Sequence, residues 1–388
     1  DGSEKMRRVS VPKNGERFAQ YQNTIIDILP NEPNHILMEI DYKNGNYPDV
    51  YKINLERKNT RSRLVRGRND ITHWMTDQQH RVRLGFGIDE TRIFYTLFDL
   101  KSKEWRRIWD YEIFDAPDIT PLGFGLNPDE LYIRADHQGR YAIFTVDLSQ
   151  VDLPQTLVYA DKNYDIEGGL IYSRLSNDVV GVYHGESEDN KIYFNADYEK
   201  FQQALNQAFP NSSTHITSFS ENERQYILHT SSMESAGRYY FGDRDSGELQ
   251  PLIYQYPQLN QTNLRGKTKK TYQASDGLTI EAYLTFPEHL AEENRPAIII
   301  PHGGPMSRTY GGFDWFSEFF ASRGYLVLEP NFRGSSGYGF KFETAAIQSW
   351  GGAMQTDLAD AATWLSKNYQ IDKNNICIVG ASYGGYAA

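Results

Sequence analysis

The sequence has a single cysteine, Cys377, among its 388 residues, which excludes a disulfide bond within the chain. It has no apolar run close to the roughly 18 residues that a membrane-spanning helix needs, so no membrane span is predicted. Positive charge is also in deficit, with 40 Lys and Arg against 51 Asp and Glu and a formal net charge of −11. This deficit argues against nucleic acid as a partner, because phosphates attract basic surfaces.

Cys377 lies in an apolar stretch, and we expect a buried, unreactive thiol there. One cysteine does not fix the cellular compartment, and no signal-peptide pattern is visible at the first residues. No cofactor is predicted. No metal site is predicted either, because six scattered histidines lack the spacing of metal ligands. They are His73, His80, His137, His184, His215 and His229.

What the chain does have is a repeat. From about residue 20 to 265, turn residues interrupt short apolar stretches every 8–12 residues, the spacing of all-β folds. Within this region an alternating strand that ends in Asn or Asp recurs at Asn54, Asp99, Asp147 and Asp243. The intervals are 45, 48 and 96 residues, and one more unit fits around 190–194.

A period of about 45–50 residues with four strands per unit is typical of a β-propeller. About five blades fit before residue 265, and single-chain propellers have roughly 4–8 blades. We therefore predict a β-propeller over 1–265 that is incomplete at its N-terminal side. A β-sandwich with chance spacing is the alternative.

The pattern changes after a polar, basic linker at 263–270. Strands and helices then alternate, which predicts a mostly parallel sheet with helices on its faces over 266–388. The strands are predicted at 278–286, 297–301, 325–330 and 376–379, and the helices at 314–323 and 354–369. On the last helix, helical spacing directs the apolar residues toward the sheet, and Asp357 and Asp360 are expected to face solvent.

Ser382 lies in Gly380-Ala381-Ser382-Tyr383-Gly384, directly after an apolar run. Glycines two residues before and after the serine allow the sharp strand-to-helix turn that presents a nucleophile in α/β-hydrolases. The N–H of Tyr383 would then point toward a developing oxyanion. A glycine-rich packing turn is the alternative reading.

A second glycine loop, His302-Gly303-Gly304-Pro305, follows the predicted strand at 297–301. A His-Gly-Gly loop at this place supplies another oxyanion N–H in many esterases and lipases. His302 is expected to brace the loop, because the catalytic histidine of this fold follows the serine in the chain.

Arg333 and one cluster of cations each have two possible interpretations. Arg333, in the glycine-rich stretch 331–339, is expected to anchor that loop through an internal ion pair, and binding of a carboxylate is the alternative. Six cations also fall within twelve residues, and a solvated outer strand and loop is expected there rather than a docking site for acidic peptides. They are Arg57, Lys58, Arg61, Arg63, Arg66 and Arg68.

The three glycine-containing stretches at 302–305, 331–339 and 380–386 together resemble the signature stretches of the prolyl oligopeptidase family of serine peptidases. His-Gly-Gly-Pro is similar to the acylaminoacyl-peptidase-like branch. The resemblance covers 270–388 and implies a β-propeller followed by an α/β-hydrolase domain. It also implies that Ser382 is the nucleophile and that Tyr383 and Gly304, with Gly303, provide the oxyanion hole.

The sequence departs from that family because no Asp, Glu or His follows Ser382. We therefore expect an internal fragment that lacks the triad Asp and His and is inactive by itself. The expected function is a serine peptidase that hydrolyses oligopeptides through an acyl-enzyme. An esterase or a catalytically silent scaffold are the alternatives. Substrate-binding residues are not predicted, oligomerisation stays open, and the resemblance favours an exported or periplasmic location over a cytoplasmic one.

Overall fold

The structure is a computed structural model that describes residues 13, 16, 24–42, 47–57, 60–68, 70–113, 118–184, 191–233, 235–260, 262, 264–288, 295–369 and 371–388. Its contacts divide the chain into two compact units. The first unit comprises 1–135 and 144–156, and the second comprises 136–143 and 157–388. Among the described residues, no helix is both long and apolar enough to cross a bilayer.

The first unit is built from antiparallel sheets whose strands follow one another in chain order. The first sheet contains β1 (Thr24–Asp27), β2 (His35–Ile40), β3 (Asp49–Asn54) and β4 (Arg61–Val65). The second sheet contains β5 (Ile71–Thr76), β6 (Val82–Asp89), β7 (Arg92–Phe98) and β8 (Trp105–Glu112). The third contains β9 (Thr120–Phe124), β10 (Glu130–His137), β11 (Arg140–Asp147) and β12 (Gln155–Tyr159). The tip of the β10–β11 hairpin belongs to the second unit.

The second unit continues with two more antiparallel sheets. The fourth sheet has β13 (Leu170–Tyr172), β14 (Val179–Tyr183) and β15 (Lys191–Tyr193), and helix α1 (Ala196–Ala208) follows it. The fifth sheet has β16 (Ser213–Phe219), β17 (Gln225–Ser232), β18 (Ser235–Asp243) and β19 (Leu249–Tyr254), followed by a 3₁₀ turn at Pro257–Leu259.

The recurring Asn or Asp of the sequence pattern has one structural role. Asn54, Asp99, Asp147 and Asp243 each end the third strand of a sheet or directly follow it. Their side chains accept hydrogen bonds from N–H groups two or three residues later, as at Asp99 (2.8 and 2.9 Å) and Asp243 (3.0 and 3.1 Å). Such Asx turns start the hairpin to the fourth strand. The repeat is therefore confirmed as a succession of antiparallel sheets, whereas their closure into a propeller stays a prediction.

The last sheet is mixed, with the order β20-β21-β23-β22-β24. Its strands are β20 (Lys267–Gln273), β21 (Thr279–Thr285), β22 (Arg295–Ile299), β23 (Leu326–Asn331) and β24 (Ile371–Ile378). The helices are α2 (Trp315–Ala321), α3 (Phe340–Thr344), α4 (Ala353–Asn368) and α5 (Tyr383–Ala387). The change from antiparallel meanders to this sheet falls between 254 and 267, and the predicted domain boundary at 265 stays a prediction.

The core of this sheet shows why α4 lies where it does. Met354, Leu358, Ala361 and Leu365 recur at helical spacing and pack with the buried side chains of the sheet. The expectation that Asp357 faces solvent is wrong, because its side chain is fully buried. Asp357 accepts two hydrogen bonds from the Arg333 guanidinium, at 2.8 and 2.6 Å, and one from the Arg333 N–H at 3.0 Å.

The expected burial of Cys377 is also wrong, since its side chain is exposed. Alternation along β24 places Ile376 and Ile378 against the core, and Cys377 therefore points to the opposite face. On that face α2 covers Ile298 and Val327, and the buried cluster there does not include Cys377.

The basic cluster lies on β4 and the turns around it, largely as expected. Arg57, Arg63, Arg66 and Arg68 are exposed, and Lys58 lies outside the described residues. Arg61 differs, because its buried guanidinium pairs with Glu16 and lies over the ring of Tyr42 at 4.2 Å.

We predict that Asp357→Ala destabilises the second unit by about 3 kcal/mol, because it leaves the largely buried Arg333 guanidinium without its main partner. Asp276 also pairs with Arg333, at 2.7 Å, but from an exposed position. Asp276→Ala is therefore the matched control, with little expected effect. Urea unfolding of both variants checks this, and equal destabilisation by the two would contradict the role of Asp357.

Candidate active site

Two glycine loops leave the sheet side by side. β22 pairs in parallel with β24, with Ile299 opposite Ile378, and the Val379 N–H donates to the Ile299 carbonyl at 3.0 Å. Because the carboxyl ends of parallel strands meet at one edge of a sheet, the loops that follow both strands meet there too. The sheet order thus brings the His302 loop to Ser382, although 80 residues separate them in the chain.

Ser382 occupies a strained turn between β24 and α5. Its backbone has φ 55° and ψ −125°, a conformation that L-residues rarely adopt, and its side chain is exposed. Strain of this kind typically costs about 1–3 kcal/mol and persists only where surrounding contacts impose it. Here α5 begins immediately, because the N–H groups of Gly385 and Tyr386 both donate to the Ser382 carbonyl, at 3.0 and 3.1 Å. This geometry confirms the sharp strand-to-helix turn that the sequence predicts, and the role of Ser382 as a nucleophile stays a prediction.

The flanking glycines are required by close backbone contacts. A Cβ added at Gly380 would lie 2.2 Å from the carbonyl of Gly384. A Cβ at Gly384 would lie 2.1 Å from the carbonyl oxygen of Pro301. The strand, the helix and the loop after β22 therefore touch through bare backbone, which a larger residue would prevent.

Of the predicted oxyanion residues, Gly303 and Tyr383 lie next to the serine. A Cβ on Gly303 would lie 3.4 Å from Ser382 Cβ and 3.9 Å from Ser382 Oγ, so the Gly303 backbone lies beside the hydroxyl. Gly304 follows with a positive φ of 121°. Tyr383 is the first residue of α5, and its buried ring contacts Phe332 and Trp350. Burial raises the pKa of Tyr383 to about 12, so its phenol is protonated at neutral pH.

His302 braces the loop, as the sequence analysis expects. Its ring stacks on Phe332 at 4.4 Å. Nδ1 lies 2.8 Å from the Gly303 carbonyl oxygen, and Nε2 lies 2.7 Å from Oγ of the buried Ser335. Burial lowers the pKa of His302 to about 4, so the ring is neutral at physiological pH. Both nitrogens are engaged, which leaves neither available to Ser382.

The third glycine-rich stretch, 331–339, follows β23, the other parallel neighbour of β22. Asn331, fully buried at the strand end, accepts from the Thr309 N–H at 2.7 Å and donates to the Thr309 carbonyl at 3.0 Å. It also donates to the Tyr338 hydroxyl at 2.7 Å. The internal ion pair expected for Arg333 is confirmed by its bonds to Asp357 and Asp276. This stretch therefore holds the His302 loop in place.

The same stretch is bound to the β10–β11 hairpin tip within the second unit. Buried Asp165 accepts from the N–H groups of Tyr141 (3.0 Å) and Gly339 (2.7 Å), and its own N–H donates to Gly337. Arg140 donates to the Tyr338 carbonyl. These bonds fix the backbone of the loop beneath the site.

An apolar groove of about 390 Å³ adjoins the His302 loop at Gly304. Pro305, Met306, Ile347 and Trp350 line it, and the last three are partly exposed. A groove of this size can accept one apolar side chain.

Sequence reasoning missed the residues that support the site through contacts across the chain. Ser335 and Asn331 lie in the glycine-rich stretch 331–339, but nothing in their spacing reveals their partners. Lys267 and Glu329 were also missed, and they form a buried ion pair at 2.8 Å. A usable signal existed there, since Glu329 interrupts an apolar strand, and a buried carboxylate needs a partner.

Comparison with known proteins agrees with this geometry. Residues 312–388 match the prolyl oligopeptidase family. The chain is 28% identical over 389 residues to dipeptidyl aminopeptidase BIII of Pseudoxanthomonas mexicana, covering 95% of this chain and 54% of that protein. It is 23% identical to dipeptidyl peptidase family member 6 of Caenorhabditis elegans, covering 90% of this chain and 51% of that protein. The chain therefore spans about half the length of these curated relatives.

A solved structure shows the same fold at low sequence identity. A puromycin-hydrolyzing peptidase of Mycobacterium tuberculosis superimposes with a TM-score of 0.69 at 17% identity, covering 97% of this chain and 60% of that one. The turn at Ser382 lies in the stretch 312–388 that matches the prolyl oligopeptidase family, and over most of its length the chain is similar to the relatives named above.

Proposed function

We propose that this chain carries the nucleophile of a serine peptidase that hydrolyses peptide bonds of oligopeptides through an acyl-enzyme on Ser382. One observation carries the proposal. The exposed Ser382 hydroxyl stands on a strained turn with the Gly303 backbone beside it. A backbone held in so rare a conformation, next to close-packed glycines, is typical of a site built for nucleophilic attack.

In the proposed reaction, Ser382 Oγ attacks the scissile carbonyl carbon, and the carbonyl oxygen becomes an oxyanion. The N–H groups of Tyr383 and Gly304, with Gly303, donate to that oxygen. Tyr383 suits this role because the first N–H groups of a helix have no acceptor within the helix. Loss of one such donor typically lowers the rate by about 10²–10³. The amine then leaves, and water hydrolyses the acyl-enzyme.

The proton of Ser382 needs a base other than His302. Its low pKa and its two hydrogen-bonding contacts support a bracing role. In α/β-hydrolases the Asp and then the His follow the nucleophile in the chain. We therefore assign the base and its orienting carboxylate to sequence that follows residue 388.

We also propose that the five antiparallel sheets are blades of a β-propeller that restricts access to short or unfolded peptides. Support comes from the repeat of third-strand turns and from the fold shared with family members. The change to a mixed sheet after residue 254 supports a hydrolase domain that starts near 266.

The first prediction concerns the nucleophile. The intact protein should react with a serine-directed fluorophosphonate and cleave acylated peptide amides, and Ser382→Ala should abolish both. Ser335→Ala, which alters a buried hydroxyl behind His302, is the control and should retain labelling. Labelling that survives Ser382→Ala would place the nucleophile elsewhere, and ester turnover without amide turnover would make the protein an esterase.

The second prediction concerns residues 1–388 expressed alone. Loss of a triad histidine lowers turnover by on the order of 10⁶, so this chain should show no measurable amide hydrolysis beside the intact protein. Turnover assays at equal concentration test this, with circular dichroism as the control for folding. Robust hydrolysis by 1–388 would contradict the assigned order of the triad.

The third prediction is a pH dependence set by His302. Its folded pKa of about 4 lies below the usual 6.5, so the unfolded chain takes up a proton first as the pH falls. Stability is therefore fully present above about pH 6.5 and is lost progressively toward pH 4. Between pH 7.5 and 5.0, the His302 contribution to the unfolding free energy should fall by about 2 kcal/mol.

Urea unfolding of the wild type and of His302→Gln at both pH values measures this contribution. The variant should be less stable throughout, but it should lose about 2 kcal/mol less than the wild type when the pH is lowered. An identical loss in both proteins would show that His302 is not buried in its neutral form.

A further inference from the structure

A second, larger cavity lies within the second unit. It has a volume of about 930 Å³ and lies between the fifth antiparallel sheet and the loops of the mixed sheet. Ser231 and Met233 line it on one side, and His302, Arg308 and Tyr310 line it on the other. Because His302 is next to Gly303, which lies beside Ser382, the cavity borders the oxyanion loop. Its size is that of pockets that hold small ligands or short peptides.

Arg308 is the unusual residue of this cavity. Its side chain is 2% exposed, yet Nε and Nη1 have no hydrogen-bond partner among the residues that the structure describes. Its nearest carboxylate oxygen, on Glu167, is 3.9 Å from Nε. The guanidinium lies between the rings of Tyr164, Tyr310 and Tyr338, with centroids 5.0, 4.6 and 5.6 Å away. A buried cation with unused donors is expensive unless a partner satisfies it.

The acidic groups around the cavity are already committed to internal partners. Glu329 accepts from Lys267 at 2.8 Å and from Ser317 at 2.5 Å. Asp314 pairs with Lys267 at 3.2 Å and caps α2. Glu167 accepts from the Tyr310 hydroxyl at 2.5 Å. The cavity wall thus carries a guanidinium that is held to Glu167 only by a long ion pair of 3.9 Å, and the carboxylates near the cavity are bonded within the protein.

We infer that Arg308 forms a carboxylate-binding subsite of this cavity, and that the peptidase favours peptides that carry a carboxylate at the matching position. The inference rests on the proposed function, because it assigns part of the substrate of the Ser382 site. Guanidinium groups bind carboxylates through paired, charge-assisted hydrogen bonds, which suits a fixed and partly desolvated Arg. The three tyrosine rings hold the guanidinium plane before the ligand arrives.

The test measures binding separately from hydrolysis. The intact protein carrying Ser382→Ala is titrated calorimetrically with succinyl-Ala-Ala-Ala-p-nitroanilide, which has a carboxylate, and with the neutral acetyl analogue. Hydrogen bonds to a charged group predict a preference of about tenfold to hundredfold for the succinyl peptide. Two further pairs distinguish the source of the carboxylate. One places Glu or Gln along an acetylated peptide, and the other compares trialanine with its C-terminal amide.

Three variants locate the subsite. Arg308→Gln should remove the carboxylate preference, and Arg323→Gln, which changes an exposed cation on the turn after α2, should leave it intact. Lys269→Gln removes a different cation that lines the same cavity and should also leave the preference intact. If Arg308→Gln does not fold, the Lys269 variant and the peptide pairs still decide the matter.

The outcomes separate the two proposals. Equal affinity for the carboxylate and neutral members of every pair overturns the subsite, as does a preference lost in Lys269→Gln. A carboxylate preference without any hydrolysis by the wild-type protein supports the subsite and overturns the peptidase. Tighter binding of peptides with a free N-terminal ammonium than of acylated peptides would also overturn the inference.

Discussion

The parallel pairing of β22 between β23 and β24 is the constraint on which the site depends. Each of these three strands ends at the same edge of the sheet, and each is followed by one of the glycine-rich stretches. These stretches are far apart in the chain, but the sheet order places all three at the same edge of the sheet. A different strand order would separate the hydroxyl from the loop beside it, even with every residue unchanged.

Close backbone contact converts that proximity into a defined geometry. The carbonyls of Pro301 and Gly384 occupy the space where side chains would otherwise be, so the two loops are joined without intervening atoms. Polar contacts then hold the loops from behind, through His302 on Ser335 and through Asn331 on Thr309. Rigid support of this kind maintains an unfavourable serine conformation that the local sequence alone would not adopt.

Much of this arrangement could be predicted from the sequence because it depends on local signals. The turn at Ser382 is specified by the two glycines around it, and the sheet repeat is marked by an Asn or Asp at the end of the third strand in four of the antiparallel sheets. The positions of β21, β22, β23, α2 and α4 followed from apolar runs and helical spacing, whereas β20, in the expected linker, and α3 were not predicted. All of these signals lie within a few residues of the structure that they specify.

The rest depends on partners that are distant in the chain. Asp357 lies on the face of α4 expected to be polar, but Arg333, on a loop 24 residues earlier, meets it there and makes burial tolerable. The burial of Arg308 against Tyr164 likewise cannot be predicted from the sequence, because the two residues are far apart in the chain and meet only through the packing of the second unit. Cys377 was mistaken for a core residue because an apolar stretch does not show which face of an outer strand is covered.

The hairpin turns that follow the third strand in four of the antiparallel sheets affect how far the sheets can vary. Asp99 and Asp243 bond to backbone N–H groups within the next three residues, and each also pairs with an arginine of a neighbouring strand or turn, Arg106 or Arg224. The backbone bonds of each turn are therefore local, and the segments between two turns can differ in length and in side chains without changing these bonds. A fold organised in this way can keep the spacing of its sheets while the residues that form the sheets change.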